Sequence, residues 1–314
     1  MEGKAMEPVG SEARLQRIEK LKETLVDAKQ PMALRFRVIF TLKAMKEKEA
    51  LEALNSAFGD ESALLKHEVA YVMGQMGDPY AVPYLIKVLD TVEEDSMVRH
   101  EAGEALGGIG GPEAIEALER HLQDPKPEVA ETCQLAVDFI RWRMAKQAES
   151  SSKPVADWHS PYDSVDPAPT FVKPRTVAEL RGKLLDVSQP LFKRYRAMFA
   201  LRNEGSDEAV AALVAGFDDG SALFRHEIAY VLGQMQNASS IDGLSDVLKR
   251  HHEHPMVRHE AAEAIGAIAS DVSVPLLKEF SADSAPAVSQ SCVVALDMLE
   301  YYQSDEFQYT LSIS

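Results

Sequence analysis

The 314 residues include 50 acidic and 33 basic side chains, a net charge of -17, which opposes nonspecific nucleic-acid binding and attracts a basic protein or a cationic side chain. Hydrophobic residues make up 46% and aromatics only 7%, enough for a large core in a chain whose Ala, Leu, Glu and Val favour helix over sheet. No apolar run approaches the ~18–20 residues of a membrane span, the charged stretch 1–21 lacks a secretory signal's apolar core, and two cysteines fit a reducing cytosol, not a disulfide framework.

In chain order, similar helical segments recur at Leu34–Met45, Leu65–Met76, Val98–Ile109 and Val129–Ile140, a period of 31 to 33 residues. Amphipathic stretches such as Ala81–Leu89 and Ala114–Leu122 alternate with them. Gly-Asp-Pro at 77–79 and Gly-Gly-Pro at 110–112 supply the cap glycine and first-turn proline that separate two helices. A two-helix unit this small cannot bury its own apolar face, so neighbours must stack, four units to a half. Residues 149–175 change character. Ser150, Ser151 and Ser152 open a stretch holding Pro154, Pro161, Pro167, Pro169 and Pro174, which forbids a continuous helix and predicts an extended linker.

After the linker the pattern returns. Leu65–Met76 reappears as Phe224–Met235 and Met97–Ala102 as Met256–Ala261, both shifted by 159 residues. Gln30-Pro31 and Gln189-Pro190, Arg37 and Arg196, and Cys133 and Cys292 keep the same register. This is a tandem duplication. It predicts an all-α chain organised as 1–148, a linker at 149–175, and 176–314, in which the linker lets the two repeat halves face each other. The segment beyond Tyr302 is polar and is expected to fray.

The duplication also sorts the nine histidines. Only His67 with His226, and His100 with His259, are related by the shift of 159, and each is followed by a glutamate: Glu68, Glu101, Glu227 and Glu260. His121, His159, His251, His252 and His254 have no such partner; the dipeptide His252-Glu253 falls opposite Glu93-Glu94. The short period selects the same four pairs. Aligned positions in the first units hold Phe36-Arg37 and Tyr195-Arg196, and those in the last units hold Glu131-Thr132 and Gln290-Ser291. A residue needed only for the repeat would recur in every unit, so restriction to the middle units marks a site on the inner face. One His-Glu dipeptide on a helix usually means nothing; four obeying two periods mean metal.

Stacked units place His67 beside His100 on one surface. Two imidazoles with one or two carboxylates suit non-haem iron, zinc or manganese. Two halves supply two such sets, and facing halves would bring two metals within the ~3.5–4 Å of other two-metal centres. Positions four residues after the histidines hold Tyr71, Glu104, Tyr230 and Glu263, so the HExxH zinc signature is absent. Glu104 and Glu263 share a helix face with His100 and His259 and are equally suited to orienting them or to ordinary surface charge. Tyr71 and Tyr230 are expected to pack in the core. Gly74, Gly107, Gly233 and Gly266 are expected to allow close helix packing, and Cys133 and Cys292 to be buried without ligating.

The segments Lys66-His67-Glu68-Val69-Ala70-Tyr71-Val72-Met73-Gly74-Gln75-Met76 and Met97-Val98-Arg99-His100-Glu101-Ala102-Gly103-Glu104-Ala105-Leu106-Gly107, each present twice in similar form, resemble those of the deoxyhypusine hydroxylases, HEAT-repeat di-iron monooxygenases. The resemblance covers roughly 22–148 and 175–302. It implies HEAT-type helical hairpins facing each other across a di-metal site, two Fe2+ ions, O2 as co-substrate and an external reductant. The substrate it implies is the deoxyhypusine side chain of translation initiation factor 5A, in the cytoplasm, with no nucleic acid or membrane partner. Carried onto this chain, His67, His100, His226 and His259 would bind iron, joined most directly by Glu101 and Glu260. Glu68 and Glu227 would be ligands or acceptors for the substrate's amines. Met97 and Met256 could line the channel, though packing is the simpler role. A noncatalytic helical scaffold would instead lack metal and tolerate His67→Ala, and a two-metal hydrolase would act without oxygen.

Overall fold

The computed structural model describes residues 11–149, 160–171, 173 and 175–303. Pro154, His159, Pro174 and the segment after Gln303 lie outside the described residues, as do the three linker serines. Among the described residues there is no strand; sixteen α-helices pair into eight hairpins. In the first half these are α1 (Ser11–Val26) with α2 (Met32–Met45), α3 (Lys48–Asn55) with α4 (Ala63–Met76), α5 (Val82–Asp90) with α6 (Ser96–Ile109), and α7 (Pro112–Arg120) with α8 (Pro127–Glu149). In the second they are α9 (Val177–Leu185) with α10 (Leu191–Glu204), α11 (Asp207–Val214) with α12 (Ala222–Met235), α13 (Ile241–Lys249) with α14 (Pro255–Ile268), and α15 (Val274–Phe280) with α16 (Pro286–Gln303). None is long and apolar enough to cross a membrane.

The even-numbered helices are the inner layer. Each of α4 and α6 buries ten of its fourteen residues, whereas α7 on the outside buries only Ala114, Ala117 and Leu118. Helix ends follow local chemistry. Ser62 and Asp95 accept hydrogen bonds from the Leu65 and Met97 amides as N-caps, and Gly77 stops α4 at φ 65°. Neighbouring inner helices approach through glycine: a Cβ on Gly107 would lie 2.6 Å from that of Ala136, and Gly74, Gly233 and Gly266 face Ala105, Ala264 and Ala295 in the same way. Cys133 and Cys292 are buried free thiols.

A repeated buried arginine ties the two layers together. Arg99 donates from Nε to the Leu89 carbonyl at 3.0 Å and from Nη2 to Asp124 at 2.6 Å. Arg258 makes the same pair of contacts with Leu248 and Asp283 at 3.0 and 2.6 Å. Arg35 and Arg194 bind the Leu25 and Leu184 carbonyls and pair with Asp60 and Asp219. Each arginine thus satisfies an otherwise orphaned carbonyl at the end of an outer helix. The partners stand ten residues before and 25 after, a spacing present in the sequence that no motif search for chemistry would seek.

The halves close into a ring. Helix α8 meets α10 and α12, and α16 meets α2 and α4. The end-unit positions that align with the His-Glu pairs make these seams: Arg37 pairs with Asp297, Ser62 donates to Gln290 at 2.8 Å, and Ser221 donates to Glu131 at 2.6 Å. The described linker residues 160–171 are anchored to the fold. Asp166, 1% exposed, takes a two-pronged bond from Arg202, itself fully buried, at 2.6 and 2.8 Å.

Candidate metal centre

Four inner helices, α4, α6, α12 and α14, carry the four His-Glu pairs into the middle of the ring. The imidazoles form a cluster, with ring centroids 5.5 Å apart for His67 and His100 and for His226 and His259, and 5.1 Å apart for His67 and His259 and for His100 and His226. His100 and His259 are fully buried and His67 and His226 are 4% exposed. The stacking sends each second glutamate to the neighbouring histidine: Glu101 Oε2 lies 3.3 Å from His67 Nε2, and Glu260 Oε2 lies 3.4 Å from His226 Nε2. Candidate ligand atoms of His226, His259 and Glu260 all fall within 4.8 Å of one another, as do those of His67, His100 and His226.

All eight ring nitrogens are buried without a hydrogen-bond partner, and so is Glu227 Oε1. His67 Nε2, His226 Nε2 and His259 Nδ1 at least have a carboxylate oxygen at 3.3–3.5 Å; each of the other orphans costs about 1–3 kcal/mol, a burden that packing alone does not explain. Metal ions would satisfy them. The electrostatics agree. Burial, reinforced by neighbouring carboxylates, pushes Glu68, Glu104 and Glu227 well above the usual carboxyl range and Glu260 to about 8. Burial likewise drives His226 down to about 3 and lowers His100 and His259. At His67 burial is outweighed by the adjacent Glu101 carboxylate, which lifts it to about 9. Against six glutamates the cluster sets one imidazolium, at His67, and bound cations would restore ionised carboxylates and neutral imidazoles.

A cavity of ≈ 390 Å³ runs from this cluster to the α2–α16 seam. His67, His226 and all six clustered glutamates line one part of it; Phe36, Phe40, Val294 and Met298 supply apolar wall. Glu263 takes a hydrogen bond from Ser291 at 2.8 Å and sits 3.5 Å from His259 Nδ1, so it orients that ring. Glu104 faces the cavity as well. Tyr71 and Tyr230 do more than pack: they line the cavity, with hydroxyls 3.1 Å apart. Met97 and Met256 are buried in the core and are not among the lining residues.

The remaining described histidines serve elsewhere. His121 pairs with Asp90 and Asp124, and His254 caps α14. His251 and His252 are exposed, and Glu253 of the decoy dipeptide is bound by Arg225 at 2.5 and 2.8 Å. Sequence reasoning missed Phe36, Phe40, Arg37, Gln234 and Asp297 as cavity walls. The signals available were the shared register of Arg37 with Arg196, Gln234 with Gln75 and Asp297 with Asp138, and the alignment of Phe36-Arg37 with the His-Glu positions.

A ring of helical hairpins enclosing a buried His-Glu cluster able to hold metal ions defines a HEAT-repeat protein, and the HEAT-repeat family model matches residues 18–93, 65–138 and 210–297. Deoxyhypusine hydroxylase of Mus musculus is 51% identical over 294 residues, covering 94% of this chain and 95% of that one. The enzyme of Drosophila pseudoobscura pseudoobscura is 48% identical over 299 residues, covering 95% and 97%. The solved structure of human deoxyhypusine hydroxylase in complex with glycerol superposes with a TM-score of 0.87 at 50% identity, covering 94% of this chain and 99% of that chain. The chain belongs to the deoxyhypusine hydroxylase family.

Proposed function

We propose that this chain hydroxylates the deoxyhypusine side chain of translation initiation factor 5A in the cytoplasm, using two iron ions and O2. The observation that carries the reading is the set of eight buried, unpartnered imidazole nitrogens among ionisable carboxylates. His67, His100 and Glu101 would hold one Fe2+ and His226, His259 and Glu260 the other. Iron bound there would activate O2 for insertion into an unactivated C–H bond. The reaction balances as C–H + O2 + two electrons + two protons giving C–OH + H2O, with the electrons from an external reductant.

The chain's own residues handle the rest. An alkylamine side chain needs apolar walls for its methylenes and carboxylates for its nitrogens. Phe36, Phe40, Val294 and Met298 provide the first, and Glu68 and Glu227 the second. Burial raises both carboxyls well above the usual carboxyl range, and an entering ammonium would favour their ionised form. The net charge of -17 favours approach of a cationic side chain. The test is hydroxylation of deoxyhypusine-bearing factor 5A by iron-loaded protein with reductant, in air and under nitrogen. Product in air alone supports the proposal; no product in air, or equal product without oxygen, overturns it.

A further inference from the structure

The duplication implies two equivalent grooves into the centre, one at each seam. The cavity lies at the α2–α16 seam. Its lining residues Arg37, Gln234 and Ala267 have shift-related counterparts Arg196, Gln75 and Gly108, and all three counterparts contact the linker. Arg196 donates from Nε to the Pro169 carbonyl and from Nη2 to the Thr170 carbonyl, both at 3.0 Å. Gln75 accepts from the Val165 amide at 2.8 Å and donates to its carbonyl at 3.3 Å. Val165 covers Gly108, where a Cβ would meet its Cγ1 at 3.0 Å. The described linker residues 160–171 therefore occupy the second groove without helix or strand, held there by main-chain contacts to Gln75 and Arg196 and by the Asp166 side chain on Arg202.

The two grooves differ in what their arginine holds. In the open groove Arg37 pairs with Asp297. In the filled one Asp138, the counterpart of Asp297, instead accepts from Gln134 at 3.1 Å, and Arg196 grips main-chain carbonyls. Read as two states of one groove, they describe a partner exchange. We propose that Arg37 releases Asp297 and donates to backbone carbonyls of an extended segment of the protein substrate, as Arg196 does to the linker. This rests on the hydroxylase reading and deepens it: the groove positions the chain that carries the modified side chain. Arg37 is a positioning residue, and it recognises main chain, so the free amino acid should not need it. A guanidinium reaches two carbonyls from two nitrogens fixed in one plane, whereas an ammonium offers its three protons from a single atom and does not reproduce that geometry.

The test compares KM for deoxyhypusine-bearing factor 5A with KM for free deoxyhypusine. Arg37→Ala should raise KM for the protein about tenfold, as expected for lost charged hydrogen bonds, leaving kcat and the free amino acid's KM within about twofold. Arg37→Lys keeps a cation for Asp297 but should show the same KM rise. Asp297→Asn frees Arg37 and should lower KM for the protein. If Arg37 serves only the seam, Asp297→Asn raises KM as Arg37→Ala does and Arg37→Lys restores it; that result overturns the inference and leaves the hydroxylase reading standing. An unchanged KM in Arg37→Ala, or an equal rise with the free amino acid, also overturns it. Wild-type protein without hydroxylase activity sinks the functional reading and this inference together.

Discussion

The hydroxyls of Tyr71 and Tyr230, 159 residues apart in the chain, meet at 3.1 Å above the histidine cluster. Residues related by the duplication touch only where the two halves cross, so this pair marks the pseudo-twofold axis. Burial raises both phenols well above their ordinary range, so each remains a neutral hydroxyl beside the carboxylates. In alkaline titration followed by tyrosine ultraviolet absorbance, the double variant Tyr71→Phe, Tyr230→Phe should lose no ionisation step below the unfolding transition. Loss of two phenolate signals before unfolding would contradict the burial assigned here.

The glutamates should divide by role. Glu101→Gln and Glu260→Gln remove carboxylates that lie against His67 and His226 and should lower bound iron. Glu68→Gln and Glu227→Gln should keep most of the iron and raise KM for the amine-bearing substrate roughly 10- to 100-fold, since one charge-assisted hydrogen bond is worth about 1.5–3 kcal/mol. Metal analysis beside steady-state kinetics separates the two classes. The opposite distribution would exchange the roles.

The arginine clamps predict an acid limb in stability. The Arg258 guanidinium holds the Asp283 carboxyl below its ordinary value of 3.8. A carboxyl lowered by folding stabilises fully above its unfolded pKa and loses that contribution as pH falls through the folded value. Asp283→Ala should cost about 3–5 kcal/mol at neutral pH by stranding a buried guanidinium, and the gap from wild type should narrow below about pH 4. Denaturant unfolding across pH measures this. A gap independent of pH would show that the charge is not what matters.

The linker should behave as part of the fold. Asp166→Ala strands Arg202, whose side chain is fully buried, so thermal unfolding should show a loss of about 3–5 kcal/mol. A change within about 0.5 kcal/mol, the size of an ordinary surface substitution, would mean the linker is only a tether.

Much of this was legible because helical repeats convert sequence register directly into position. The shift of 159 isolated His67, His100, His226 and His259 and set aside His252, whose neighbour Glu253 serves Arg225. Less legible was anything set by how helices rotate against one another. Consecutive side chains diverge by ~100°, and only stacking sends Glu101 to His67 and Glu260 to His226. Tyr71 and Tyr230 read as core residues because each stands in an apolar helical stretch; the meeting of the two halves, which brings their hydroxyls to 3.1 Å, makes them cavity wall. The prolines announced an extended linker. Its burial depends on the Arg202–Asp166 pair, 36 residues apart, which no local pattern encodes.

The central claim is that the four His-Glu pairs build one iron centre that performs the hydroxylation. Iron per chain, measured in wild type, in His67→Ala, His100→Ala, His226→Ala, His259→Ala and in His252→Ala, and paired with hydroxylation of deoxyhypusine-bearing factor 5A, tests it most directly. The account predicts about two irons and full activity in wild type and His252→Ala, and iron loss with no activity in the other four. Full activity in any one of those four, or an inactive, iron-free His252→Ala protein, would contradict it.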